Sequence, residues 1–358
     1  APVITNHEHI TEQDPYAYAF DTQLYSDGWF DTIMPDLNQR NPLLADYLTQ
    51  NALWWIEYLG LHGNRMDTYP YPDKHYMAEW CRRVLLEYPD FTMVGEEWTD
   101  NPAAVAYWQR GEKNRDGYVS DLPSLMDFPL QSALRWGLVT AEGSKMEDLR
   151  PGGLTYLYRA LANDFVYPDP SALVVFPDNH DMSRIFTQLG EDYDLFRMAM
   201  AYVLTMRGVP QIYYGTEILM ANPGTEAHGT IRSDFPGGWP GDTRNAATGD
   251  GLTERQREAQ EFTRTLLNWR KDRQVIHHGE LTHFRPENGT YVYFRHNADD
   301  SVMVILNKNS EVTKLALARF SERLQGYRTA RNVVTGQLLD LGESLELPAR
   351  SALVLDLE

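Results

Sequence analysis

The sequence predicts an α/β fold followed by a small antiparallel β domain, and three observations carry that expectation. From residue 41 to residue 277 short apolar runs alternate with helical segments, the pattern of buried parallel strands joined by crossover helices. Near His278 the helical periods fade and period-2 patterns flank turn residues. Between Tyr214 and Thr253 lies a connection of about forty residues rich in Gly, Pro, Asn and Asp, a length that in a compact domain usually serves function.

The elements follow in order. Residues 1–40 are dense in Asp, Asn, Pro, Tyr and Thr without a helical period, and read as an irregular, loop-rich segment. Asn41-Pro42 opens a helix as an N-cap with proline at the first helical position; Leu44, Leu48, Trp55 and Leu59 share one side, and Gly60 stops it. A strand over 63–67 precedes a helix over 74–87, and a strand over 91–95 precedes a helix that Asn101-Pro102 opens and that runs to 109. Strands over 124–128, 173–176 and 209–214 alternate with helices over 153–163, 195–206 and 253–269, the last with a Thr253/Gln256 capping box. The count is five strand–helix units. Beyond residue 281, Asn288-Gly289 and Asp299-Asp300 turns separate strands at 291–294 and 302–306, and 351–355 closes the chain, as in a small β-sandwich.

Composition narrows the class. The 358 residues suit one large domain plus a small one, and no run approaches the roughly 18 apolar residues of a membrane span. With 32 basic against 51 acidic residues the net charge is −19, a balance that repels phosphate backbones and anionic lipid, so neither nucleic acid nor membrane is expected as a partner. A single cysteine, Cys81, excludes an internal disulfide framework and reads as a small core residue, compatible with cytoplasm and periplasm alike. Aromatic residues reach 12%, many beside acidic ones; apolar faces next to carboxylates suit sugars, although composition alone favours an aromatic-rich core.

Three carboxylates fall at the carboxyl ends of three expected strands: Asp67, Glu96 and Asp181. Side chains alternate along a strand, so Arg65 and Asp67 project to one side, and a guanidinium beside Asp67 would keep it ionised and oriented as a nucleophile must be. Carboxylates converging from separate strands suit glycosidic-bond cleavage, in which one attacks the anomeric carbon and another protonates the leaving oxygen. Taken singly, a strand-end Asp is more often a cap or loop hydrogen-bonder, and spacing alone does not choose between Glu96 and its neighbour Glu97.

The motifs resemble those of the α-amylase family of retaining α-glucan-active enzymes. Gly63-Asn64-Arg65-Met66-Asp67 is similar to the fourth-strand motif, whose Asp is the nucleophile. Val94-Gly95-Glu96-Glu97-Trp98 resembles the fifth-strand motif, which makes Glu96 the general acid/base. Asn179-His180-Asp181 resembles the seventh-strand motif, where His binds sugar hydroxyls and Asp stabilises the distorted ring, and residues 208–217 resemble the eighth-strand segment. The resemblance covers nearly the whole chain. It implies a (β/α)8 TIM barrel of which this chain supplies about strands 4–8 (residues 41–277), preceded by a remnant of the protruding loop domain (1–40) and followed by a β-sandwich domain (278–358). Met34-Pro35-Asp36-Leu37-Asn38 resembles the loop-domain signature of the cyclomaltodextrinase and neopullulanase branch.

The third-strand motif does not match: Asn6-His7 has Val3 where an Asp should stand. The first three strand–helix units are therefore expected on another chain or in a lost segment, and the activity of this chain alone is in doubt. The resemblance further implies a cyclomaltodextrin, maltooligosaccharide, pullulan or starch substrate, in this branch often with a partner subunit as in a homodimer. No cofactor is required; calcium is structural in many relatives, without identifiable ligands here. Arg65, Asn179, His180, Trp98 and Tyr69 are the expected substrate-site residues, with Phe176 and Trp239 as further stacking candidates. Transglycosylation or isomerisation through the same covalent intermediate, or an inactive glucan-binding fragment, are the competing readings.

Overall fold

The computed structural model describes residues 5, 8–143 and 151–358, so Val3, Asn6 and His7 lie outside the described residues. The chain divides into two compact units, Ala1–Pro129 with Asn163–Val174, and Leu130–Ala162 with Val175–Glu358.

The first unit begins with a helix that the sequence does not announce, α1 (Ala19–Asp27), which has no side-chain cap and no apolar stripe. The rest of the described part of 1–40 is irregular, as expected. Helix α2 (Pro42–Leu59) follows its sequence signals: Asn41 accepts from the Leu43 N–H, and Gly60 ends the helix at φ 63°, a left-handed conformation that glycine adopts without a Cβ penalty. Its buried face differs from the expected one. Thr49 and Ile56 point inward, whereas Trp55 and Leu59 are exposed together with Leu43, Tyr47, Trp54 and Tyr58.

Strand β1 (Gly63–Met66) leads to α3 (Lys74–Glu87), which Asp73 caps through the His75 and Tyr76 N–H groups. Strand β2 (Thr92–Gly95), α4 (Pro102–Tyr107) with its Asn101 cap, and β3 (Ser124–Leu125) complete a sheet in which β1 is an edge, with β2 between β1 and β3. The pairing is parallel and sets Arg65 opposite Val94 and Met66 opposite Gly95. Met77, Trp80, Cys81 and Val84 of α3 pack on Met93, Val105, Leu122 and Leu125. Cys81 is the small core residue expected of it, its thiol pushed up to about 12 by burial.

The third strand ends two residues into its expected span, because the chain turns into a helix at Phe128: α5 (Phe128–Val139) has no counterpart in the sequence reading. Next come α6 (Thr155–Leu161), β4 (Val174–Val175), α7 (Ile185–Gln188), α8 (Tyr193–Thr205) and β5 (Val209–Pro210), which pairs with β4. The expected run over 209–214 shortens to two residues. After Gln211 donates to the Val175 carbonyl at 2.8 Å, the chain turns at Gly215, φ 83°. The connection to α10 (Glu254–Lys271) is long, as expected, and holds the one-turn helix α9 (His228–Ile231); the Thr253/Gln256 capping box forms in full.

After α11 (Gln274–His278) helices give way to strands. These are β6 (Glu280–Glu287), β7 (Thr290–His296), β8 (Ser301–Asn307), β9 (Thr313–Ala316), and, beyond the short α12 (Ser321–Leu324), β10 (Thr329–Asn332), β11 (Leu338–Asp340), β12 (Ser344–Leu347) and β13 (Ser351–Leu357). Six form an antiparallel sheet in the order β11-β10-β13-β8-β7-β6, and β12 pairs with β9. Strands β7 and β8 are buried almost throughout because both faces are covered. Val292, Phe294, Met303 and Ile305 join a core with Leu345 and Leu347 of β12, whereas Tyr291, Tyr293, Val302 and Val304 join the core formed with α8.

Gly95 ends β2 where a Cβ would lie 2.6 Å from Leu122 Cδ2 and 3.1 Å from the Tyr69 ring. Gly95→Ala is therefore expected to destabilise by about 1–3 kcal/mol, the range for overpacking a tight interior, read as a lower midpoint in denaturant unfolding.

Candidate active site

The parallel register of β1 and β2 brings three charged side chains together. Asp67, just past the end of β1, lies two residues beyond Arg65, and Glu96 lies two residues beyond Val94, the partner of Arg65. Arg65 Nη1 reaches Asp67 Oδ2 at 3.2 Å, and its Nη2 pairs with Glu96 Oε2. Glu96 is buried while the Asp67 side chain is 62% exposed, so one guanidinium joins a sheltered carboxyl to an open one. Burial is the main cause that lifts the Glu96 carboxyl to about 7; a hydrogen bond with Asp67 and that residue's charge add to the rise, and Arg65 opposes it. The Thr68 N–H approaches Glu96 Oε2 at 3.4 Å. Thr68 achieves this at φ 47°, a left-handed conformation that costs a β-branched residue roughly 1–3 kcal/mol and is typical of functional sites.

That turn also decides the fate of Tyr69. Expected at the substrate, Tyr69 is instead completely buried, its hydroxyl 3.6 Å from Cys81 Sγ and its ring edge-on to Trp108. The left-handed residue at 68 breaks the strand alternation, and Tyr69 falls into the core. Phe176 is likewise a core residue. Trp98 is 49% exposed and lies against Phe128 with centroids 4.6 Å apart; Trp239 is exposed in the long connection.

In the second unit, Asn179, His180 and Asp181 follow β4. Asn179 is buried and its Oδ1 accepts from the Asp181 N–H at 2.8 Å, so it shapes the turn and is withdrawn from the surface. His180 Nε2 lies 2.9 Å from Asp181 Oδ2, and Arg232 pairs with Asp181 Oδ1 while donating from Nε to the His180 carbonyl at 2.9 Å. Arg232 escaped the sequence reading: the long connection marked its neighbourhood, but nothing local singled out this residue. Asp178, completely buried and lifted to about 6 by that burial, accepts from the Ile185 N–H and from Thr216 Oγ1. Among the described residues no group of three or more His, Cys, Asp or Glu side chains gathers as a metal site would require.

The alpha amylase catalytic domain family matches residues 4–291, and the cyclo-malto-dextrinase C-terminal domain family matches residues 281–356. The chain belongs to the α-amylase family. A maltogenic α-amylase of Bacillus acidopullulyticus is 26% identical over 345 residues, covering 93% of this chain and 51% of that protein. A cyclomaltodextrinase of a Bacillus species is 24% identical over 78% of this chain and 44% of its own length. The chain thus spans about half the length of these relatives. An α-amylase of Geobacillus thermoleovorans, solved with acarbose, superposes with a TM-score of 0.76 at 24% identity, over 98% of this chain and 72% of that one. The family resemblance carried by the strand-end motifs is borne out, as are a partial α-amylase catalytic domain and an antiparallel C-terminal sheet domain.

Glu97, the neighbour that spacing could not separate from Glu96, points the other way. It is 2% exposed and accepts a hydrogen bond from Thr11 Oγ1, a contact across 86 residues that no local signal announces. Burial lifts its carboxyl to about 7, against the lowering effects of Thr11 and Trp108. Because the folded value lies above the unfolded one, its stabilising contribution is complete below about pH 4.5 and disappears as pH rises through about 7. Glu97→Gln cannot ionise, so its stability relative to the wild type should improve by about 1–3 kcal/mol between pH 5 and pH 8, measured as paired unfolding midpoints.

Proposed function

We propose that the protein containing this chain hydrolyses α-1,4-glucosidic bonds with retention, in cyclomaltodextrins, maltooligosaccharides, pullulan or starch. The observation that carries the reading is the Arg65 guanidinium joining exposed Asp67 to buried Glu96. Asp67 attacks the anomeric carbon while Glu96 gives its proton to the departing sugar oxygen; Glu96 then takes a proton from the water that releases the glycosyl-enzyme. A general acid needs its proton near the working pH, and a carboxyl lifted to about 7 keeps it. His180 and Asp181 serve as ligands for sugar hydroxyls, Asp181 favouring the distorted ring, and Trp98 stacks on a sugar face. The match to the cyclo-malto-dextrinase C-terminal domain favours the cyclomaltodextrinase and neopullulanase branch.

An eight-stranded barrel needs three strand–helix units beyond the five found among the described residues. Among the described residues the outer edge of β1 has no neighbouring strand; that edge and the exposed Leu43, Tyr47, Trp54 and Tyr58 of α2 suit coverage by the first strand–helix units of the same barrel, on whatever polypeptide carries them. The boundaries proposed are residues 1–40 for the loop domain, 41–277 for the barrel part and 278–358 for the sheet domain.

In the enzyme with its barrel complete, Asp67→Asn should abolish turnover while sparing maltooligosaccharide binding by calorimetry, and Glu96→Gln should lower kcat by about 10²–10⁴-fold. Undiminished hydrolysis by either variant overturns the assignment. The kcat/KM profile should fall about tenfold per pH unit above pH 7, as Glu96 loses the proton it must donate. Product analysis with added acceptor sugar separates hydrolysis from transglycosylation.

A further inference from the structure

The connection after β5 is tied back to residues 178–188 by buried polar groups whose joint effect is to deliver one exposed arginine. Arg184, 1% exposed, donates from Nε to the Ile231 carbonyl at 3.0 Å and from Nη1 to the Tyr214 carbonyl. Its guanidinium lies 4.0 Å from the centroid of the Tyr213 ring. Asn222, also 1% exposed, accepts from the Arg184 N–H at 2.8 Å and donates to the Thr225 carbonyl at 2.6 Å, while its own N–H bonds to Thr187 Oγ1 at 2.8 Å. Thr216, at the start of the connection, is held by buried Asp178 at 2.9 Å. These ties fix both ends of 216–232. The short helix α9 then ends with the Arg232 N–H on the His228 carbonyl at 2.8 Å, and the Arg232 side chain meets Asp181 and the His180 carbonyl.

An exposed ion pair alone contributes little to stability, about 0–1 kcal/mol, because two long side chains lose freedom and water screens the charges. Here the freedom of the loop is removed by groups other than the pair, so the pair itself can fix a carboxylate. With Arg232 on Oδ1 and His180 on Oδ2, the Asp181 carboxylate is held in one rotation, its side chain still 21% exposed and open to a hydroxyl.

We infer that Arg232 is a positioning residue for Asp181, placed by the buried Asp178–Arg184–Asn222 scaffold, and that it sets the orientation in which Asp181 meets the sugar in the transition state. The inference rests on the proposed hydrolysis and adds to it a residue from outside the strand-end motifs. A carboxylate acting on the distorted ring counts more in the transition state than in the ground state, so loss of its orientation should appear in kcat more than in KM.

The test is steady-state kinetics on maltooligosaccharide with the complete enzyme, its Arg232→Ala and Arg232→Lys variants, and Asp67→Asn as a control. Arg232→Ala should lose about 10–100-fold in kcat, the cost of a small misplacement at a reacting centre, with KM within about threefold of the wild type. Added guanidinium chloride, tens of millimolar, should restore turnover to Arg232→Ala saturably, and should do nothing for Asp67→Asn. Arg232→Lys keeps the charge without the forked donor geometry and should fall between the two. Wild-type kcat in Arg232→Ala, or a loss that guanidinium does not relieve and that Arg232→Lys shares in full, overturns the inference while leaving the hydrolytic reading intact. Absence of turnover in the wild type overturns both.

Discussion

A guanidinium shared by two carboxyls fixes the geometry at the ends of the first two parallel strands. Arg65 is placed by register: its strand pairs with the one that ends in Gly95, so Asp67 and Glu96 emerge beside each other with Arg65 next to both. Burial lifts the sheltered carboxyl of Glu96 to about 7, and its neighbour Asp67 adds to the rise. The proposed division of labour between a nucleophile and an acid rests on this unequal burial of two groups on one cation. The left-handed Thr68 and the side-chain-free Gly95 are the local conditions that allow the strands to end this way.

The second cluster is built by another device. His180 and Asp181 sit on a turn shaped by buried Asn179, and the partner that completes Asp181 arrives from a connection with little regular structure. Such a connection can position a side chain only if its own freedom is removed elsewhere, which is the part played by buried Asp178, Arg184 and Asn222. Arginine is suited to the scaffold because its planar head bonds to carbonyls and lies on an aromatic ring at once. Both clusters therefore pair a buried polar group, which fixes geometry, with an exposed one that faces solvent.

Much of the architecture was legible in the chain. The Asn41-Pro42 cap, the Gly60 stop, the helix at 74–87 and the Thr253/Gln256 box are local signals, and each is realised. The helices at 19–27 and 128–139 were not foreseen: the first lacks both a side-chain cap and an apolar stripe, and the second begins inside a run that reads as a strand. Period does not tell which face of α2 the first unit buries, because apolar residues surround most of the helix. Tyr69 shows the same limit, since one left-handed residue reverses a side chain that alternation would place outward.

The sequence by itself determined most of the alternation of strands and helices, the residue types at the strand ends and, through four motifs, the family. These are properties of neighbouring residues, which caps, turns and periods report directly. Only the tertiary structure decided that Glu96 is sheltered and Asp67 open, that Glu97 turns away to Thr11, and that Arg232 meets Asp181. Burial and long-range partnership depend on which distant segments come together, and no local spacing records that.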